Sequence, residues 1–547
     1  MALWRSSVQE YGIFGNLRTV AQCHLCEDIY DLSAIRSLGL PGFLEVLKGV
    51  VYVEAVLSIF HLSILVPWIL SMVLGIFVGG IPGLTATMAV ALIVPLTFHM
   101  SPIAGLAMIL GVSFCAIFAG DIPATFLRIP GTPASGAAIL DGYEMTRKGK
   151  GSLALALDLT CSVIGGLIGI AILIFIAPVL AKFALKFTNF EYFWLAVFGL
   201  SMSAVISRGT KIKGVISMTL GLIFATIGID ITTGYPRFTF GSTELMAGIG
   251  FIPAMIGLFG LSEVFKYVLL PEDFKNPTIK ERIQISFKSV GSLIYKFKLL
   301  ILRSSIIGNV IGALPGAGAD IAAWVSYGMA KKVSRRSNEF GTGIEEGVIA
   351  PTSANNAALG GTWIPALVFG IPGDTITAIV LGAMMMYGLK PGPLIFQQNA
   401  HLVNQIFSVA IVSQIFLLII GWFGIKMYTY LFKFPRNVVL VGVIIFSVVG
   451  SYALRSDLFD VGIVLLFGVL GYFMETCGIP LPPLILGLIL GPMIEDNLRV
   501  GLVKSSGSFL PFVTRPISLT FFVLIVAVFF GDPIIKGAKA LFRGRAT

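Results

Sequence analysis

The sequence predicts an all-α polytopic membrane protein of about 10–12 transmembrane segments, in two related repeats whose helices are broken by Pro and Gly. Three observations predict it. The 547 residues are 56% hydrophobic and 12% charged, about half the charge of a soluble domain. Residues 55–120 contain no Asp, Glu, Lys or Arg, room for two or three crossings of about 20 residues each. Finally, Pro-Gly interruptions recur in the same order in both halves of the chain. A β-barrel would show short alternating segments in place of these long apolar runs.

Residues 1–41 are of mixed polarity, with Arg5, Arg18 and Arg36 and no run long enough to span. No basic start is followed by an apolar core and a cleavage site, so the segment reads as a cytoplasmic or interfacial N-terminal extension. The first transmembrane repeat is placed at 42–270. It opens with an amphipathic helix at 42–60 lying along the interface, and its first crossing is 62–80. That crossing ends in Gly79-Gly80-Ile81-Pro82-Gly83, where Pro removes a donor and Gly admits unusual dihedrals. Helical runs follow at 84–98 and 101–119. A second break is expected from Gly120-Asp121-Ile122-Pro123 through Ile129-Pro130-Gly131, and further spans at 155–180, 190–207, 213–229 and 246–266.

Residues 271–298 mix acids and bases and read as a polar loop between halves. The second repeat, 299–535, starts again with an apolar run into Leu314-Pro315-Gly316, echoing the first break. Pro365 and Pro372 then repeat the seven-residue step of Pro123 and Pro130. Interrupted apolar segments at matching positions in two halves are the best sequence pointer to a secondary-transporter site. Whether the halves are parallel or inverted turns on a span count the sequence leaves open. Later spans are read at 376–389, 402–425, 437–454, 461–475 and 515–531. The stretch 478–507, with Pro480, Pro482, Pro483 and Pro492, reads as re-entrant or interfacial, because 484–494 is too short to span. A basic tail, 536–547, closes the chain.

The net charge is +10, but the basic residues fall in short clusters between apolar runs: Arg147-Lys148-Lys150, Arg208-Lys211-Lys213, 275–303 and 331–336. This is the cytoplasmic bias of a multi-pass protein, not a nucleic-acid footprint. Cys23 and Cys26 have zinc-like spacing without a second ligand pair. Cys115, Cys161 and Cys477 lie in apolar runs as packing residues. There is no phosphate-binding Gly-x-x-x-x-Gly-Lys-Ser/Thr loop, and the four histidines are scattered. The chain therefore reads as no enzyme and needs no cofactor beyond a coupling ion, Na⁺ or H⁺.

The stretch 341–376 is crowded with Gly, Pro, Thr, Ser and Asn. Polar irregular backbone survives in a membrane only where it lines a cavity or is buried in protein. Broken helices offer N–H groups that attract anions and carbonyls that suit a dehydrated cation. Thr352, Ser353, Asn355 and Asn356, with Thr85, Thr132, Asp374 and Thr375 beside the breaks, are the candidate substrate contacts. Gly83, Gly316, Gly373 and Asn355 are the candidates for ion coupling. Arg128 stands in an apolar segment; it either grips a carboxylate with its planar fork or pairs with Asp121 or Asp374. Glu345 and Glu346 are a proton or ion site, or a solvated face beside the basic 331–336 cluster.

At this point the residues resemble the large membrane subunit of bacterial tripartite tricarboxylate transporters. The matching blocks are GGIPGLTATMAVALIVPLTF (79–98), IPGTPASGAAILDGYEMTRKG (129–149), GALPGAGADIAAW (312–324), GTGIEEGVIAPTSANNAA (341–358), GIPGDTITAIVLGAMMMYGLKPGPLIF (370–396) and PPLILGLILGPMIEDNL (482–498). The resemblance implies ion-gradient-driven uptake of an organic carboxylate across the cytoplasmic (inner) membrane. It also implies a small four-helix membrane subunit and a periplasmic or extracellular solute-binding protein as partners. Four positions depart from the family pattern: Thr352 replaces Glu, Arg128 replaces Asn, and Asp121 and Asp374 stand where Ser is common. These departures put citrate in doubt as the specific substrate. The rivals are an anion or cation channel, which needs a continuous ring of like groups, and a membrane-embedded lipid enzyme, for which no acidic metal cluster is evident.

Overall fold

The structure is a computed structural model, and it describes residues 58–81, 84–206, 210–230, 233–269, 287–431 and 436–543. The extension 1–41, most of the interfacial helix expected at 42–60, and Pro82-Gly83 lie outside the described residues. Among the described residues the chain is helical, apart from a two-stranded antiparallel ribbon in which Gly228–Ile229 pairs with Pro236–Arg237.

In chain order the first half comprises α1 (Leu62–Gly80), α2 (Ala86–Thr97), α3 (Pro102–Ala119), α4 (Asp121–Leu127), α5 (Ser135–Arg147), α6 (Gly151–Ala184), α7 (Asn189–Ile206) and α8 (Lys211–Ala225). After the ribbon, α9 (Phe251–Met255) continues through a π turn (Ile256–Leu261) into α10 (Ser262–Leu269). The second half comprises α11 (Phe287–Lys296), α12 (Lys298–Gly312), α13 (Gly318–Val333), α14 (Glu345–Phe369), α15 (Thr375–Met386), α16 (Ile395–Gln398), α17 (Ala400–Leu431), α18 (Arg436–Arg455), α19 (Leu458–Thr476), α20 (Pro482–Lys504), α21 (Leu510–Thr514) and α22 (Pro516–Arg543). Six described helical stretches are long and apolar enough to cross a membrane: α1, α3 with α4, α6, α7, α17 to Tyr428, and α19. The protein is an all-α, multi-pass membrane protein.

The core is built around α14, buried from Gly347 to Val368 and flanked by α6 and α12. Contact here is backbone on backbone. A Cβ on Gly308 would press on the Ala354 carbonyl and stand 2.7 Å from Ala354 Cα, and one on Gly312 would meet Ala358 in the same way. Gly165 and Gly169 of α6 press likewise on Ser353 and Ala357. The pattern recurs between α1 and α3, where Gly75 and Gly79 press on Val112 and Ala116. Small residues let helices close to this distance where lipid supplies no hydrophobic drive. Gly308→Ala is expected to cost about 1–3 kcal/mol through overpacking, read as a lower melting temperature in detergent.

Two expectations are corrected. The Asn355-Asn356 stretch is not irregular: α14 runs straight through it, with Pro351 and Pro365 inside. Thr352 and Ser353 donate to the Val348 and Ile349 carbonyls at 2.9 and 2.7 Å, so their polarity is spent within the helix. The break expected from Gly120 to Pro123 is at most a single-residue interruption, because Pro123 lies within α4 and the apolar stretch runs from Pro102 to Leu127. In both halves the first proline is helical, and only the second, Pro130 or Pro372, sits in a break. The stretch 478–507, read as re-entrant or interfacial, holds one helix, α20, whose first turn takes Pro482 and Pro483, where Pro lacks no needed donor; it is not among the six stretches long and apolar enough to cross. Within the polar connection expected at 271–298, α11 covers Phe287–Lys296 and α12 begins at Lys298. The basic tail likewise begins inside α22.

Candidate functional site

The helix ends that follow the breaks meet at one cavity of about 580 Å³. Its walls come from 85–87 at the start of α2, 132–134 before α5, 316–321 at the start of α13 and 374–376 at the start of α15. Asn355 reaches it from the middle of α14, Leu258 and Phe259 from the π turn, and 478–482 from the entry to α20.

The first- and second-half segments interlock across the cavity. Thr87 Oγ1 lies 3.2 Å from Thr375 Oγ1, and the Ala134 N–H donates to Asp320 Oδ1 at 3.1 Å. The Gly316 N–H donates to the Gly373 carbonyl at 2.8 Å, with Gly316 at φ +80°, a conformation that Gly adopts at little cost. Gly373 is wedged against Thr362 and the Gly312 carbonyl.

Each incoming helix brings unpaired N–H groups and partial positive charge. Several of these ends are already served by the protein. The Thr85 hydroxyl accepts from Met88 N at 3.2 Å. Asp374 forms a capping box with Thr377, accepting from its N–H at 2.7 Å. No side chain caps α13, whose first turn, Gly318 to Ile321, lines the cavity. Asn355 Oδ1 is buried without a partner, an uncommitted acceptor of α14 in the cavity wall. At the far wall Lys266 pairs with Glu475 at 3.5 Å and with Glu263 at 3.9 Å.

Of the residues expected to contact substrate, Thr85, Thr132, Asn355, Asp374 and Thr375 line the cavity. Thr352 and Ser353 do not; they are buried in helix packing. Asn356 is fully buried outside the lining, and neither amide atom has a partner. Gly316 lines the cavity, Gly373 spends its carbonyl on Gly316, and Gly83 lies outside the described residues. Arg128 lies outside the cavity lining. It ends α4 at φ +60°, is exposed, and stands over the Tyr143 ring at 5.7 Å. Among the described residues it pairs with neither Asp121 nor Asp374. Arg128→Ala is therefore expected to leave uptake within about twofold of wild type, since an exposed cation–π contact is worth only about 0.5–1 kcal/mol.

Glu345 bonds Arg336 at 3.3 Å and Glu346 bonds Ser334, so both serve the loop before α14. The sequence reading missed Thr87, Asp320, Glu263, Lys266 and Glu475. Thr87 and Asp320 were the accessible ones, because each lies in the first helical turn after a Pro-Gly break.

Helix ends from both halves of a multi-pass protein, gathered around one cavity, are the arrangement of a membrane transporter. The chain belongs to the tripartite tricarboxylate transporter TctA family, whose model matches residues 65–486. A relative from Agrobacterium vitis, described as "Uncharacterized 52.8 kDa protein in TAR-I ttuC' 3'region", is 34% identical over 448 residues, covering 81% of this chain and 88% of its own. A second from the same organism, "Uncharacterized protein in TAR-II ttuC' 3'region", is 35% identical over 211 residues, covering 39% of this chain and 87% of its own. No solved structure is significantly similar to the chain.

Proposed function

We propose that the chain is the permease subunit that carries an organic carboxylate across the cytoplasmic membrane, driven by an ion gradient. The observation that carries this reading is the convergence of the α2, α5, α13 and α15 starts on one cavity. A carboxylate fits the uncapped α13 N-terminus, with Asn355 and the Thr85, Thr87 and Thr375 hydroxyls as neutral contacts that allow release. Asp374 on α15, and Asp320 on the Ala134 N–H, already hold carboxylates against helix starts in the same walls. The lining holds four acids, Glu263, Asp320, Asp374 and Glu475, against one Lys266. That balance favours an anion that travels with a cation.

The proposed assembly adds a small four-helix membrane subunit and an external solute-binding protein that delivers the anion. The two halves act as repeats, one moving against the other to alternate access. Thr352, Ser353 and Asn356 support the site through packing rather than by touching substrate.

Labelled citrate, succinate and related di- and tricarboxylates, presented to vesicles holding the complete system, test the reading. Accumulation that needs an ion gradient and the binding protein is expected. Unitary currents in a bilayer without saturable accumulation would instead indicate a channel.

A further inference from the structure

Beside the cavity, but outside its lining, lie two acids that the site leaves unexplained. Asp121 opens α4 and Asp158 sits on α6, each 1% exposed and each within a stretch apolar enough to span a membrane. Their carboxyl groups are neighbours. Neither Asp121 oxygen completes a hydrogen bond, nor does Asp158 Oδ2; Asp158 Oδ1 receives a long one from Ser162 Oγ at 3.4 Å. Among the described residues no cation neighbours either group.

Two adjoining carboxylates in a low-dielectric interior cannot both stay charged. A proton held between them removes one charge and supplies the missing hydrogen bond. A path for it is present. The other polar neighbour of Asp121 is Ser135, whose hydroxyl lies 2.7 Å from Thr132 Oγ1, and Thr132 lines the cavity. Hydroxyls can donate and accept at once, so cavity, Thr132, Ser135 and the acid pair form one polar line.

The titratable groups on the surrounding helices do not substitute for it. Cys161 of α6 is fully buried. Cys115 of α3 is buried in the apolar core, and Tyr428 of α17 stacks on Phe126 of α4 at 5.9 Å. Asp141 of α5 is bonded to the 341–344 backbone, Glu144 to Arg147, and Glu345 of α14 to Arg336.

We propose that Asp121 and Asp158 form a binding site for one proton that exchanges with the cavity through Ser135 and Thr132. Resting on the permease reading, this makes H⁺ the ion that travels with the substrate.

Infrared spectroscopy of the full chain in lipid nanodiscs tests the site without needing a substrate. At neutral pH the wild type is expected to show the carbonyl band of a protonated carboxylic acid. The band should be absent from Asp121→Asn/Asp158→Asn and should persist when choline chloride is replaced by NaCl. Ser135→Ala should slow its exchange in D₂O by about tenfold or more, since the relay loses its hydroxyl next to Asp121. No wild-type band, or a band removed by Na⁺, would overturn the proposal, the second result making the pair a sodium site. Exchange unchanged in both Ser135→Ala and Thr132→Val would overturn the path.

In vesicles with all partners, Asp158→Asn should cut citrate or succinate accumulation driven by a pH gradient by about tenfold or more. Accumulation retained alongside the wild-type band would overturn the coupling role. Failure of the wild type to take up any carboxylate bears on the permease reading, and the infrared band still decides the proton site.

Discussion

Asp141→Ala is expected to destabilise the protein by about 3–5 kcal/mol, the cost of breaking a buried charged network, and to lower its melting temperature in detergent accordingly. The Asp141 carboxylate is fully buried. Its Oδ1 accepts from the N–H groups of Gly341, Gly343 and Ile344 at 2.9, 2.8 and 3.1 Å. Its Oδ2 accepts from Tyr327 Oη at 2.9 Å and from the Gly341 N–H at 3.1 Å. One side chain on α5 thus satisfies the backbone that leads into α14 and ties it to α13. Gly347 packs directly on the same carboxylate, so the gap left by Ala opens at the start of the central helix. The loss should be largely structural. Asp141→Asn keeps the shape and part of the acceptor capacity, and should recover a substantial fraction of the stability. A melting temperature unchanged in Asp141→Ala would show that the network is not formed.

Asn355→Ala should reduce carboxylate uptake by about 10–100-fold, since a hydrogen bond to a charged group is worth about 1.5–3 kcal/mol, while leaving the melting temperature nearly unchanged. Asn356→Ala is the control. Its amide is as deeply buried and lacks a partner at both oxygen and nitrogen, but it stands outside the cavity lining. Replacing it removes an unsatisfied polar group, so stability should hold or rise and uptake should stay near wild type. Adjacent residues of one chemical type are thus separated by the direction in which the helix points them. Equal losses in both variants, with folding intact, would mean that the pair acts as a unit and that the cavity wall is not the distinguishing feature.

The class of the fold was legible because apolar runs of membrane length leave little choice of structure. Pro130-Gly131 and Pro372-Gly373 were legible as breaks for a local reason, the removal of a donor next to a residue free of Cβ constraints. Thr132, Asp374 and Thr375, beside those two breaks, line the cavity. The Asn355-Asn356 stretch misled because small polar residues inside a helix look like a loop in sequence. Thr352 and Ser353 satisfy themselves on their own helix, and Gly165, Gly169, Gly308 and Gly312 on other helices close around them. Partners so distant in the chain leave no local signal.

Pro492 misled in the same way, since a proline inside a helix costs only local hydrogen bonds when the flanking turns are packed. Arg128 drew attention as a lone cation, but the left-handed end of α4 turns it outward. Asp121 and Asp158 were harder still. Their meeting depends on α4 packing against α6, and Asp158 is a single acid within an apolar helix.

The central claim is that the cavity where the broken helices converge holds the transported carboxylate. Thiol labelling of Thr375→Cys tests it most directly. The variant is placed in a Cys477→Ser background, since Cys477 is the exposed cysteine among the described residues, and it is studied in vesicles that retain uptake. An anionic thiol reagent should modify it, and a carboxylate the vesicles accumulate should slow that modification over the concentration range that saturates uptake. Modification at the same rate with and without a transported carboxylate would contradict the account and move the binding site elsewhere in the chain.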